Sequence, residues 1–400
     1  MKENLAIKII PISTNRAIAH PAPPRSVLDM KPKMGLLVVL LSLCSPVFAI
    51  DESELVTLLE TARIEMKMPG LRAAVRLADG RIVRAAVGLA DQEADIPLDN
   101  EIGMPGGSTG KIFVAALTML LVEDGALSLD DPASRWLGET SWYHRLPNAD
   151  TIYVRHLLSH SAGIKDYIDT AKFQFSMISR VVRNGSARYE PEELIEFVLD
   201  KKPLFAPGEG YHYTDAGYLV LGRLIEAASG RSYYDLLDER ILTPNRLDEI
   251  RPQDSSILTN IAPGYMGGSR NLKKDGRMKF DPSSEWTGGG LITNPTMLVR
   301  FFGALVDDLI VSPQSLAQMI AAGWQNPATP GSHYGFGLFV SGYGESFGHG
   351  GLWPGYRTHV THYVSTGTTI AVQTNRDGGL DMESLVTLIE AQVPPIEQPW

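Results

Sequence analysis

Cysteine is nearly absent from this 400-residue chain, and the one present, Cys44, lies in an apolar run close to the N-terminus. Beyond that run, disulfide stapling, thiol nucleophiles and cysteine-based metal sites are excluded. A long apolar stretch is missing too. The run at residues 36–43, broken only by Ser42, belongs to a stretch of about ten residues, where a membrane-spanning helix needs about 20. Positive charge is in deficit, with 36 Lys and Arg against 46 Asp and Glu. There is no internal repeat or low-complexity tract after the run. At 44% hydrophobic and 20% charged residues, general disorder is excluded and a large core can be buried.

What is there begins with a leader. Lys31 and Lys33 precede the apolar run, and Val47-Phe48-Ala49 supplies a Val-x-Ala cleavage site. Residues 1–49 therefore read as a leader and secretory signal peptide, which predicts a periplasmic or secreted protein. The segment before Met30 lacks the character of a signal n-region, so translation is expected to start at Met30 or Met34. Leu43 stands before Cys44 where a lipoprotein signal carries a small residue, so lipidation is not expected. The leader holds six of the 36 basic and two of the 46 acidic residues, which leaves 30 against 44 and a net charge of −14. Nucleic acid is not an expected partner.

Apolar residues at helical spacing (Leu55, Leu58, Leu59, Ala62, Met66) predict a helix over residues 51–68, ended by Pro69-Gly70. Residues 71–77 and 82–87 flank Ala78-Asp79-Gly80 and predict a β-hairpin. Helical patterns dominate 112–122, 154–158, 191–199, 218–228 and 234–241. Strands are predicted at 334–340, 356–363 and 368–373, and a closing helix at 380–393. Length alone suits two or three domains of about 150 residues, or one large domain with an insertion. Strands at both ends favour one sheet built from both termini with a helical lobe inserted.

Ser108-Thr109-Gly110-Lys111 is an S-x-x-K tetrad opening an apolar helix, which puts Ser108 and Lys111 on one face. A serine hydroxyl attacks poorly until a neighbour takes its proton, and Lys111 is placed to do so. A Ser N-cap followed by an exposed Lys fits the same four residues. Ser108 also satisfies Gly106-x-Ser108-x-Gly110, the elbow of α/β-hydrolases, but that elbow needs a strand before it, and residues 101–105 form a poor one. Tyr213, in Tyr211-His212-Tyr213-Thr214-Asp215, follows a turn and reads alone as a packing residue. Phe347-Gly348-His349-Gly350-Gly351 lies between predicted strands. It is a plain turn, or a place where a substrate approaches backbone closely. His156 and His160 lie four apart, yet no third ligand is evident. No metal and no cofactor are expected.

Taken together these motifs resemble the serine β-lactamase and penicillin-binding-protein family, in the branch holding class C β-lactamases, D-alanyl-D-alanine carboxypeptidases, D-aminopeptidases and related esterases. Ser108-Thr109-Gly110-Lys111 is similar to the first motif, Tyr213-Thr214-Asp215 falls where the family has Tyr-x-Asn, and His349-Gly350-Gly351 falls where it has Lys-Thr-Gly or His-x-Gly. The connectors at 121–132, 156–163, 218–222 and 288–291 agree. The resemblance implies an α/β (α+β) fold over residues 50–400: an antiparallel sheet flanked by helices, built from both termini, with an all-helical lobe at roughly 111–280. It implies Ser108 as nucleophile, Lys111 and Tyr213 sharing its proton, and the amides of Ser108 and Leu352 as the oxyanion hole. Asp215, His349, Gly350, Gly351 and Leu352 would line the substrate site.

Two residues depart from the family's pattern. Asp215, when ionised, accepts but does not donate a hydrogen bond, and its charge favours a protonated Lys111, which shifts the expected base toward Tyr213. His349 removes a fixed positive charge that would bind the carboxylate of a β-lactam. The expectation is an exported serine hydrolase acting on a small peptide or ester. A β-lactamase and a non-catalytic cell-wall peptide binder are the alternatives. Substrate identity and oligomeric state are not legible in the residues.

Overall fold

Asp51 opens the first helix with a capping box: its carboxylate accepts from the Glu54 amide at 2.9 Å, and the Glu54 carboxylate accepts from the Asp51 amide at 3.0 Å. The helix, α1 (Glu52–Glu65), buries Leu55, Leu59 and Ala62. β1 (Gly70–Arg76) and β2 (Ile82–Asp91) follow as the expected hairpin, with Gly80 at φ +85° in the turn. In all, the computed structural model describes residues 50–184, 188–378 and 381–394. The expected signal peptide, its cleavage site, the expected translation starts at Met30 or Met34, and Cys44 lie outside the described residues.

An eight-stranded antiparallel sheet forms the frame. Besides β1 and β2 it contains β3 (Ile96–Pro97), β4 (His333–Tyr334), β5 (Phe339–Ser341), β6 (Ser346–Trp353), β7 (Tyr356–Tyr363) and β8 (Thr368–Thr374), in the order β3-β2-β1-β8-β7-β6-β5-β4. Leu71 of β1 lies opposite Thr374 of β8, so the two ends of the chain build the sheet's centre.

Side chains alternate across those central strands. Leu71, Ala73, Val75, Ile370 and Val372 pack under α1 and the last helix, α6 (Met382–Glu390). Ala74, Val360 and Ala371 face the larger core, shared with α2 (Gly110–Glu123), α4 (Asp215–Ser229) and α5 (Pro295–Val306). Twelve of the fourteen residues of α2 are buried. Its large apolar side chains are each worth about 1.5–3 kcal/mol on burial, so this helix is fixed by its surroundings rather than by its caps. α3 (Ala171–Asn184) lies between α2 and α4 in sequence. Among the described residues no helix is long and apolar enough to cross a membrane.

The structure revises the sequence reading at three places. The glycine-rich segment at 347–351 is not a turn between strands but the body of β6. The strand expected at 334–340 is split into β4 and β5, because Gly337 takes φ +76° and turns the chain. Two helices, Pro295–Val306 and Pro313–Ala321, follow the predicted lobe, and the first packs on β1 and β8.

Candidate active site

Backbone contact builds the site before any side chain does. Gly107 carries φ +57°, and a Cβ there would stand 2.6 Å from the Leu352 amide nitrogen. One on Gly351 would stand 1.9 Å from the Gly106 carbonyl oxygen. The turn Gly107–Thr109 therefore lies backbone to backbone against β6. That turn runs directly into α2, so Ser108 and Lys111 share a face as their spacing predicts. The short strand Met104–Pro105 pairs with Leu291–Thr293 and fixes the approach to the turn.

Lys111 is fully buried, yet its Nζ has three acceptors. It donates to Ser108 Oγ at 3.3 Å, to Asp215 Oδ1 at 2.5 Å, and to the Gly288 carbonyl. Three acceptors match the three N–H groups of an ammonium. Asp215 is the first residue of α4, where the helix N-terminus favours a carboxylate. Thr214 caps the same helix by accepting from the Gly217 amide at 3.4 Å.

Two residues before Asp215, the Tyr213 ring lies 4.9 Å from Lys111 Nζ and 6.0 Å from the His349 ring. Its hydroxyl oxygen is shut off from solvent and makes no hydrogen bond of normal geometry among the described residues. Burial, reinforced by the charge of Asp215, pushes the Tyr213 phenol well above its ordinary value, while the nearby Ser108 hydroxyl pulls the other way. At neutral pH Tyr213 is a phenol.

His349 sits beneath this surface rather than in it. Its Nδ1–H donates to the Gly350 carbonyl at 2.6 Å, and its Nε2 accepts from the Tyr334 hydroxyl at 3.0 Å. Burial first, and then the Lys111 charge, push its pKa down to about 3. The ring is neutral, so the third motif presents backbone and no cation. Phe339, 5.0 Å from His349 and stacked on Tyr213 at 6.3 Å, adds an aromatic wall.

Three residues here escaped sequence reasoning. Asp166 accepts from the Asp215 amide at 2.9 Å, and burial followed by the Asp215 charge pushes its carboxyl up to about 8. Glu285 accepts from Gln253 Nε2 at 2.8 Å and is pushed up by burial to about 8, against the pull of Lys111. His160 packs on Tyr213 with ring centroids 4.2 Å apart. Only His160 carried a sequence signal, as one of the paired histidines. Both of those rings are engaged with backbone: His156 Nδ1 accepts from the Tyr153 amide and His160 Nδ1 from the Thr214 amide, each at 3.2 Å.

Ser108, Lys111, Tyr213 and Asp215 thus converge, with Gly351 and Leu352 against the Gly107–Thr109 turn and His349 behind it. Comparison with known proteins agrees with the fold. A penicillin-binding protein of Bacillus subtilis strain 168 is 25% identical over 318 residues, 75% of this chain and 66% of that protein. A D-aminopeptidase of Brucella anthropi is 28% identical over 359 residues, 87% of this chain and 64% of its own length. The chain thus spans only 66% and 64% of these two curated relatives. The crystal structure of a D-stereospecific amidohydrolase from Streptomyces sp. superposes with a TM-score of 0.72 at 24% identity, over 86% of this chain and 98% of that one. The beta-lactamase family model matches residues 56–393, and the chain belongs to that family.

Proposed function

We propose that this chain is an exported serine hydrolase that forms an acyl-enzyme at Ser108 and acts on a small peptide or ester. The observation that carries the reading is the convergence of three groups: Lys111 Nζ lies 3.3 Å from Ser108 Oγ, and the unpartnered Tyr213 hydroxyl is buried beside them. A buried hydroxyl without a partner costs stability, and a proton-transfer role accounts for its retention.

The resting charges define the division of labour. Lys111, whose Nζ donates to three acceptors including Ser108 Oγ, stabilises charge building on the Ser108 oxygen. Tyr213, held as a phenol, takes the Ser108 proton on its oxygen as it gives its own proton to the leaving group. The carbonyl carbon gains the bond to Ser108 Oγ and loses the bond to the leaving group. The amides of Ser108 and Leu352 serve as oxyanion donors, a role worth about 3 kcal/mol per donor in comparable sites. Water then reverses the sequence and releases the acid.

His349, held neutral by burial, supplies no cation for a substrate carboxylate at the third motif. That disfavours β-lactams and favours esters, amides and peptides whose reacting end is uncharged or amino-terminated. The resemblance to a D-aminopeptidase supports the same direction.

A fluorophosphonate probe and a fluorescent penicillin test the reading. Labelling of the wild type by the fluorophosphonate, lost in Ser108→Ala, is the expected result. A wild type that stays unlabelled, or a Ser108→Ala variant that labels equally, sinks it.

A further inference from the structure

His160 is buried, with 1% of its surface accessible, and takes φ +53°, an uncommon conformation for a residue with a Cβ. Such a conformation persists where surrounding contacts over-determine it, and those contacts cluster on Tyr213. The His160 carbonyl accepts from the His212 amide at 3.0 Å, and its Nδ1 accepts from the Thr214 amide at 3.2 Å. One residue, through its side chain and its own backbone, therefore holds the amides of His212 and Thr214, the neighbours of Tyr213 on either side. The ring itself lies 4.2 Å from the Tyr213 ring and is hemmed in by Tyr334 at 4.6 Å and Tyr218 at 4.9 Å.

We propose that His160 is the positioning residue for Tyr213: its carbonyl and its Nδ1 acceptor hold the backbone amides of His212 and Thr214 on either side of the tyrosine, so that the Tyr213 oxygen is aimed at Ser108. The Tyr213 oxygen has no hydrogen bond of its own to hold it. Its placement must come from the ring and the backbone, and His160 touches both. Because Nδ1 accepts, the ring proton sits on Nε2, and the imidazole is neutral. Burial, with Lys111 adding repulsion, keeps it neutral, so the Nδ1 acceptor is not lost to protonation. The inference rests on the reading of Tyr213 as the proton shuttle.

The test uses the full chain and the variants His160→Asn, His160→Gln and His160→Phe, with Ser108→Ala and Tyr213→Phe as controls. Each is assayed for p-nitrophenyl butyrate hydrolysis, fluorophosphonate labelling and melting temperature. Asn places an oxygen where Nδ1 stands, Gln carries the same group one carbon too far, and Phe keeps the ring without the acceptor. Expected are a kcat for Asn within about threefold of wild type, and a kcat for Gln and Phe lower by about 10- to 100-fold with KM within about threefold. If Phe does not fold, the Asn and Gln pair decides. A folded Gln or Phe variant with wild-type kcat overturns the inference, as does an Asn variant as slow as Gln. Should both controls lose activity while every His160 variant keeps it, only this inference falls. Should Ser108→Ala or Tyr213→Phe stay fully active, the catalytic reading falls and takes the inference with it.

Discussion

At the scale of single residues, the proton-transfer role proposed for Tyr213 accounts for a cost in stability. Its buried hydroxyl, without a hydrogen bond of normal geometry among the described residues, costs up to about 1–3 kcal/mol in desolvation. Tyr213→Phe removes the oxygen and leaves the ring among His160, Tyr334 and Phe339. The expected result is a variant at least as stable as wild type in a thermal melt, with kcat lower by about 100-fold or more. A variant that is markedly destabilised, or one that turns over normally, contradicts the assignment. Ser108, Lys111 and Tyr213 were legible in the sequence because two of them share a tetrad on a helix start and the third sits in a recognisable triplet. Asp166 and Glu285 were not. Each is an ordinary acidic residue in its own segment, and its significance comes from burial beside Lys111 and Asp215, which only the folded chain creates.

At the scale of elements, the Gly107–Thr109 turn and β6 are matched through backbone rather than side chains. Gly351 leaves no room for a Cβ, since the Gly106 oxygen would lie 1.9 Å away and belongs to rigid main chain. Gly350, its neighbour, points the other way, and a Cβ there would meet His359 Nδ1 at an ordinary 3.4 Å. Gly351→Ala must push β6 off the turn and with it the Leu352 amide. The expected outcome is a loss of about 100-fold or more in fluorophosphonate labelling and about 1–3 kcal/mol of stability. Gly350→Ala should change either by a small factor. Equal tolerance at the two positions would show that the close approach does not matter. The same glycines explain why β6 was not read as a strand: three Gly and a His in the run from Ser346 to Trp353 have weak β-propensity. The strand exists because Ser346–Trp353 pairs along its whole length with Tyr356–Tyr363, an effect of tertiary context. α1 and β7, by contrast, bury one face at a regular period that is visible in the residues, while β1 and β8, buried on both faces, are legible as short runs bounded by turns.

On the scale of the whole molecule, the buried titratable groups give stability a dependence on pH with a definite sign. His349, His359 and His362 are pushed by burial down to about 3, 4 and 4, from an ordinary 6.5. Between those values the unfolded chain binds more protons, so stability rises with pH up to about 6.5 and is then flat for these groups. Asp166 and Glu285 act oppositely. Their folded values of about 8 stand above the ordinary 3.8 and 4.5, so the native state holds the extra protons across that interval, and stability falls as pH climbs through it. Burial raises Asp377 in the same direction. Above pH 6.5 the histidines no longer compensate, and the carboxyls alone set the slope, at about 1.4 kcal/mol per pH unit for a group fully engaged. The melting temperature is therefore expected to peak near pH 6, where the opposing slopes meet, and to decline toward pH 8. Glu285→Gln, which keeps an oxygen for Gln253 but does not titrate, should flatten that decline. A melting temperature that is level or rising from pH 6.5 to 8, or a Glu285→Gln variant with the wild-type slope, would show that Asp166 and Glu285 stay ionised beside Lys111, where their charge would hold Tyr213 more firmly as a phenol.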